Sequence, residues 1–320
     1  MQEVKITLIT RHSIQTPILV NRVYLERKRA GAPACLRFSV MNDQALHFEE
    51  GDVVKLEFAG EAIFSGFVFG KRRRNGGSVG VVAYDQIRYL KNRDTYQYTG
   101  TTASGLVRMI GQDWGISLGE ITDTEYVLPE GVEEDRPLLD MIQDALDITA
   151  KQTGDVFVLH DAVGALCLEH VKDTALDIVI DERRIGGFDY TSTIDRDVYS
   201  AVSLHRPIGE GGTQIQYETR DDFWFGRWGM LRYRGRAQEE RDGMEQAENI
   251  LKQYARKKRI LRIFDAAGDV RVRGGTLLPV QLNLGDVIVD QFLMVERVVH
   301  CFEEGLHTME LSLVGGDFRD

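Results

Sequence analysis

Gly51-Asp52-Val53-Val54 opens a run that continues through Ile63-Phe64-Ser65-Gly66-Phe67-Val68, turns, and resumes as Val79-Gly80-Val81-Val82 up to Asp85. Apolar residues at every second position are the signature of half-buried strands, and Asn75-Gly76-Gly77 supplies the positive φ angles that a hairpin needs. Later the chain reads Gly285-Asp286-Val287-Ile288, then Phe292-Leu293-Met294-Val295-Glu296-Arg297-Val298-Val299, a turn, and Met309-Glu310-Leu311-Ser312-Leu313 up to Asp317. The two Gly-Asp starts predict one three-stranded unit used twice. The competing reading, that Gly-Asp is a common turn before any strand, stays open. If the units are equivalent, three chains offer six similar positions around a ring, a way to match three-fold to six-fold symmetry.

Working outward, Val4 to Leu8, Val20 to Leu25 and Cys35 to Val40 alternate in the same way, so the first ninety residues read as antiparallel β. After Thr101 the period changes to that of a helix, with Thr101-Thr102-Ala103-Ser104 able to cap it and Gly115 to end it. A second helix carries Leu138, Met141, Ile142, Ala145, Leu146 and Thr149 on one stripe, with Asp135 as its expected N-cap, Pro137 in the first turn and Gly154 at the end. Val156 to His160 and Ala165 to Glu169 form an expected hairpin. Strand rhythm returns at Val198, is interrupted by a long helix over 237–258, and closes with Arg259 to Phe264, Asp269 to Val272, Val287 to Asp290, Phe292 to Val299 and Met309 to Val314. The expected fold is mainly β with an α+β insertion: two related antiparallel tube-type β-barrels, a small α/β domain and one long helix. The expected domains are 1–96, 97–180 and 181–320.

The ordered phrases Gly51-Asp52-Val53-Val54 with Phe64-Ser65-Gly66-Phe67-Val68, Val82-Ala83-Tyr84-Asp85-Gln86-Ile87-Arg88-Tyr89-Leu90, Thr102-Ala103-Ser104-Gly105-Leu106-Val107, and Pro137-Leu138-Leu139-Asp140-Met141-Ile142 running to Thr153-Gly154-Asp155-Val156-Phe157-Val158 give nearly the whole chain a family likeness. It resembles the baseplate hub proteins of contractile phage tails and phage-tail-like particles, a group related to late control protein D and to the tail hubs of Gram-positive prophages. That resemblance implies a homotrimer of pseudo-six-fold symmetry joining the six-fold tail tube to the three-fold spike. It also implies contacts with the tail tube or a tube-end, LysM-type protein, the spike, baseplate wedge proteins and the tape measure protein. The implied location is the baseplate of a virion, defective prophage particle or bacteriocin, with assembly in the host cytoplasm.

Composition narrows the chemistry. Hydrophobic residues at 43% and charged residues at 28% are those of an ordinary folded core, across a length of 320 residues that suggests more than one domain. Fifty acids against 39 Lys and Arg give a net charge of -11, which argues against general or sequence-specific nucleic-acid binding. No apolar run is long enough for membrane insertion, and residues 1–5 lack a signal-peptide pattern. Cys35, Cys167 and Cys301 sit far apart among apolar neighbours and read as reduced core residues. His300-Cys301 with His307 is the nearest approach to a metal site and falls in alternating strand sequence, so no metal and no cofactor are expected.

No nucleophile elbow or phosphate loop is present; Gly209-Glu210-Gly211-Gly212 and Gly274-Gly275 read as turns. Glu133-Glu134-Asp135 are the tempting carboxylates for a glycosidase, yet their place before a helix suits capping. The expectation is therefore a non-enzyme, with a tail-associated peptidoglycan hydrolase or a carbohydrate-binding β-module as the alternatives. Two stretches remain as candidate interfaces. Phe223-Trp224-Phe225-Gly226-Arg227-Trp228-Gly229 concentrates Trp and Arg, so Trp224, Arg227 and Trp228 are either an inter-subunit contact or interior packing. Arg72, Arg73 and Arg74 in the basic run Lys71 to Gly77 are either a solvated hairpin tip or a dock for an acidic neighbour.

Overall fold

Alternation in the sequence becomes pleat in the structure, a computed structural model that describes residues 3–43, 46–74, 77–208, 213–237, 242–285, 287–303 and 305–315. For residues 74, 207, 208, 213 and 214 only the backbone is described. The chain begins with β1 (Val4–Ile9), β2 (Ile14–Gln15), β3 (Val23–Lys28), β4 (Cys35–Met41), β5 (Val53–Phe58), β6 (Glu61–Arg74) and β7 (Ser78–Tyr84). Their inward positions, among them Ile6, Leu8, Leu25, Leu36, Leu56 and Val81, form one core. β6 does not stop before the basic run: Lys71, Arg72, Arg73 and Arg74 pair with Val81, Gly80, Val79 and Ser78. The run is thus strand and not loop, because the ladder continues to the hairpin itself, whose Asn75 and Gly76 lie outside the described residues.

A 3-10 helix, Gln86–Lys91, is capped by Asp85, whose carboxylate accepts from the Ile87 N–H. It leads to β8 (Arg93–Tyr98), α1 (Ala103–Asp113), β9 (Leu118–Ile121), β10 (Gly131–Pro137), α2 (Leu138–Thr153), β11 (Phe157–Asp161), β12 (Leu166–His170) and, past a second 3-10 turn, β13 (Ile180–Asp181). Thr102 caps α1 as expected, its Oγ1 accepting from the Gly105 N–H at 3.1 Å. The α2 stripe is buried as the sequence pattern requires, and Gly154 ends it in the left-handed region at φ 79. Asp135 is not the α2 cap. It lies in β10, at φ 44, and holds Arg93 at 2.9 Å, while Pro137 takes the N-cap position without a side-chain bond. Glu133 likewise pairs with Arg136, so neither acid caps the helix. The two helices and the β11-β12-β9 sheet enclose a second core around Leu106, Ile110, Leu138, Met141, Ile142 and Leu168.

β14 (Gly187–Thr193) carries the chain to a separate compact unit, residues Tyr190–Ile260. There β15 (Ala201–Ile208) pairs antiparallel with β16 (Thr213–Arg220) and parallel with β17 (Arg232–Arg236); α3 (Asp222–Trp228) precedes β17 and α4 (Gly243–Tyr254) follows it. Ala247 and Leu251 of α4 pack with Val202, Leu204 and Ala237. The helix is shorter than the expected 237–258. Asp242 caps it through the Met244 N–H, Ala237 lies before it, residues 238–241 are outside the described set, and Lys258 already belongs to the next strand. The glycine turn at 209–212 is also outside the described residues.

The return path comprises β18 (Lys258–Ala267), β19 (Leu277–Asn283), β20 (Ile288–Glu303) and β21 (Leu306–Val314). Asp269 to Val272, expected as strand, form a turn, and the two strands expected over 287–299 are one strand of 16 residues. The two Gly-Asp starts are therefore not equivalent positions, since Gly51 precedes β5 whereas Gly285 precedes β20, and Asp286 and Asp317 lie outside the described residues. A repeat exists one strand away. β6 pairs by its first half with the preceding β5 and by its second half with the following β7, across a bulge between Val68 and Gly70. β20 does the same with β19 and β21, across a bulge between Val295 and Arg297. A bulge at mid-strand coils a long strand so that its halves serve different neighbours.

These two meanders are not separate sheets. β20 pairs antiparallel with β3 from Arg297↔Lys28 to Phe302↔Val23, giving the order β18-β21-β20-β3-β4-β7-β6-β5-β1-β2. The fold is mainly β with an α/β insertion, as expected, but the two tube-type units are fused through this seam, and among the described residues the pairings do not close into a barrel. The seam also groups Met1–Asp189 with Leu261–Asp320 as one compact unit, a different grouping from 1–96, 97–180 and 181–320.

Candidate functional site

The aromatic stretch forms α3, a short solvent-facing helix of about two turns. Asp221 caps it by accepting from the Trp224 N–H at 3.0 Å, and none of its residues is buried. Phe223 is 60% exposed, which excludes interior packing for it within its own unit. Trp224 and Trp228, one helical turn apart, stack at 4.0 Å with 16° between their planes. Arg227 lies over Phe223 and Arg220 over Phe225, so two cations cover ring faces of the same element.

Of the basic run, Arg72 and Arg73 are exposed and the Arg74 side chain is outside the described residues. Alternation sends neighbours to opposite faces. Arg73 lines a cleft of about 860 Å³ with Arg11, His12, His47 and Glu49, while Arg72 lines a second trough on the outer face of the sheet.

His300 and His307 come together as a hydrogen-bonded pair. Their rings face each other across the β20–β21 hairpin, Nδ1 to Nε2 at 3.0 Å, and His300 Nε2 bonds to the Val272 carbonyl at 2.9 Å. A carbonyl only accepts, so His300 carries its proton on Nε2, its Nδ1 accepts, and His307 donates from Nε2. Burial pushes His300 well below the usual histidine range and His307 down to about 4. Phe302 stacks on His307 with centroids 4.4 Å apart, and Phe58 meets the same ring edge-on at 5.0 Å. Cys301 points to the opposite side of β20, as pleat alternation dictates. Among the described residues no group of three metal-ligating side chains occurs, and the three cysteines are free.

A polar cluster that the residue pattern had not drawn attention to lies beneath the α/β insertion. Arg27 of β3 points inward and donates to the carbonyls of Ile63 and Val270. Burial lowers it to about 10. Asp85 is pushed up to about 8 by burial and by the Asp161 charge, against the N–H groups of Ala34 and Ile87. Gln86 bridges to Asp161 at 2.8 Å, and His160 bonds to Glu169 at 3.0 Å, which in turn pairs with Arg273. Burial, with Arg273 and Arg27 nearby, lowers His160 to about 3. The signal was available: Arg27 shares its phase in β3 with the buried Val23 and Leu25, where a charge is out of place.

The sheet with its mid-strand bulges and helical insertion is the fold of phage tail proteins. The 43 kDa tail protein of prophage MuSo2 from Shewanella oneidensis matches it with a TM-score of 0.71, over 97% of this chain and 98% of that one, at 14% identity. The E. coli c3393 protein, a type VI secretion component described as structurally similar to the T4 tail proteins gp27 and gp5, matches with a TM-score of 0.60, over 98% of this chain and 77% of that one, at 9% identity. The chain belongs to the YQBQ-like family, whose match spans residues 23–314. The phage-like element PBSX protein XkdQ of Bacillus subtilis strain 168 is 26% identical over 307 residues, covering 93% of each chain.

Proposed function

We propose that the protein is a non-enzymatic structural subunit of a contractile phage tail or tail-like particle, the baseplate hub that joins the tail tube to the spike. The observation that carries this reading is the repeated meander: β5-β6-β7 and β19-β20-β21 each build a long bulged strand between two partners, in one continuous sheet. Two such units per chain, in 1–96 and 181–320 with 97–180 inserted, let a homotrimer present six similar positions to a six-fold tube and three to a spike. Whole-chain likeness to tail proteins and kinship with a PBSX protein support it. Partners on this reading are the tube or a tube-end protein, the spike, wedge proteins and the tape measure protein. The place of action is the baseplate, reached by assembly in the host cytoplasm.

The test is the stoichiometry and symmetry of the chain in isolated particles. A ring of three copies at the tube–spike junction is the expected result, and a monomeric or six-copy position elsewhere would overturn it. Release of muropeptides from purified peptidoglycan by the folded protein would overturn the non-enzymatic part.

A further inference from the structure

The outer face of the sheet where β3, β4, β6, β7 and β20 lie side by side carries charge opposite to that of the chain as a whole. Glu26, its side chain only 11% exposed, receives Arg297 at 2.7 Å, Arg37 at 3.1 Å and Lys28 at 3.7 Å. Arg22 pairs with Glu303 at 2.6 Å, and Arg72, exposed, has no ion-pair partner among the described residues. Five cations thus share this face with two carboxylates, an excess of three on a protein of net charge -11. Arg22, Lys28, Arg37 and Arg297 keep between 39% and 52% of their side chains exposed, so they hold their partners while still facing solvent.

Between these charges runs a trough of about 810 Å³. Its floor is made of Ser39, Gly70, Gly80 and Val82, brought into one patch by the registers Ser39↔Gly80, Gly80↔Arg72 and Val82↔Gly70. A Cβ on Gly70 would meet nothing within 4 Å, so the floor is low because small residues stand there and not because anything covers them. Tyr24, 36% exposed, stands at its side. A solvated antiparallel face usually interleaves both signs of charge. This one has a small-residue floor and a cationic rim.

We propose that this trough is a docking surface for an acidic, extended segment of another protein chain. Four inter-strand spacings of about 4.8 Å separate β20 from β6, a span of about 19 Å, which an extended segment of about six residues crosses at about 3.3 Å each. Carboxylates of such a segment fit the planar forks of Arg22, Arg37 and Arg72. The inference does not depend on the hub reading.

A fluorescein-labelled peptide of about six residues alternating Glu and Val is the probe, followed by anisotropy with the full-length protein. Saturable binding is expected, weakening as ionic strength rises through about 0.1 M, where the screening length is about 10 Å. Arg22→Glu with Arg72→Glu is expected to lower affinity by at least about tenfold, and Arg183→Glu, on an exposed turn elsewhere, to leave it within about twofold. Unchanged melting of the reversal variant checks that the fold persists. Absence of saturable binding, an equal loss in the Arg183→Glu control, or tighter binding of a single-stranded oligonucleotide lost on the same reversal would each overturn the proposal. None of these results bears on the ring stoichiometry that tests the hub.

Discussion

The His300–His307 pair makes the folded protein sensitive to mild acid. Both rings are held neutral in the fold, His307 at about 4 and His300 well depressed, against 6.5 for an unperturbed histidine. Protons therefore bind the unfolded chain first, and the stability contributed by the neutral pair is fully present above about pH 6.5 and lost as pH falls below it. At pH 5 each ring lies about 1.5 units below its unfolded pKa, which at about 1.36 kcal/mol per unit is about 2 kcal/mol per ring and about 4 for the pair. Asp85, pushed up to about 8, has the opposite slope over this range, so the absolute pH profile is a sum. The informative comparison is with the double variant His300→Leu, His307→Phe, which lacks both titrating rings and keeps Asp85. Urea unfolding at pH 7 and pH 5 should show the wild type losing about 4 kcal/mol more than the variant between the two pH values, whatever constant offset the substitutions introduce. Should the two profiles run parallel to within about 1 kcal/mol, the rings are not a buried neutral pair and the tautomer assignment falls with them.

Phe302→Ala removes a ring that is 1% exposed and touches Phe58 and His307, and should destabilise by about 3–5 kcal/mol in denaturant titration. Gly274→Ala places a Cβ 2.2 Å from the Arg29 backbone nitrogen and 2.3 Å from the Lys28 carbonyl carbon, so β3 must shift; soluble yield and melting temperature should both drop, with a cost of about 1–3 kcal/mol or more. Trp224→Ala with Trp228→Ala removes a half-buried stacked pair and should cost about 0.5–1.5 kcal/mol or more of stability while reducing incorporation into particles, and normal incorporation would remove α3 from the interface.

How much of this was legible in the sequence depended on the range of the interaction. Local periodicity located most strands of the large sheet and both helices of the insertion, because pleat and helix bury residues at fixed spacings, as at Leu8, Leu56 and Val81 in strands and Met141 and Ala145 in α2, but it missed β8, β9, β10, β14, β17 and β19. Capping was readable where the side chain reached its own helix, as Thr102 does, and misread at Asp135, whose carboxylate is taken by Arg93 on a neighbouring strand. The basic run at Arg72 looked like a loop because polarity suggested a turn, yet a hairpin ladder continues through any residues whose backbones can pair. The repeat was sensed and misaligned: Gly-Asp marks a turn, whereas the repeated geometry is the pairing of a long strand with two neighbours, which has no local signature. The β3–β20 seam joins segments from opposite ends of the chain, and nothing in either stretch names the other.

That seam governs the order in which the protein can be finished. Until β20 has been synthesised, β3 presents an unpaired edge and the core around Leu25 and Leu36 lacks Phe302. At about 5–20 residues per second a ribosome takes roughly 15–60 s to reach it. Through that interval the nascent chain carries an open template for stray strand pairing, so a slow stretch of codons or a premature stop shortly before residue 288 would release a species far more prone to clump than the finished chain.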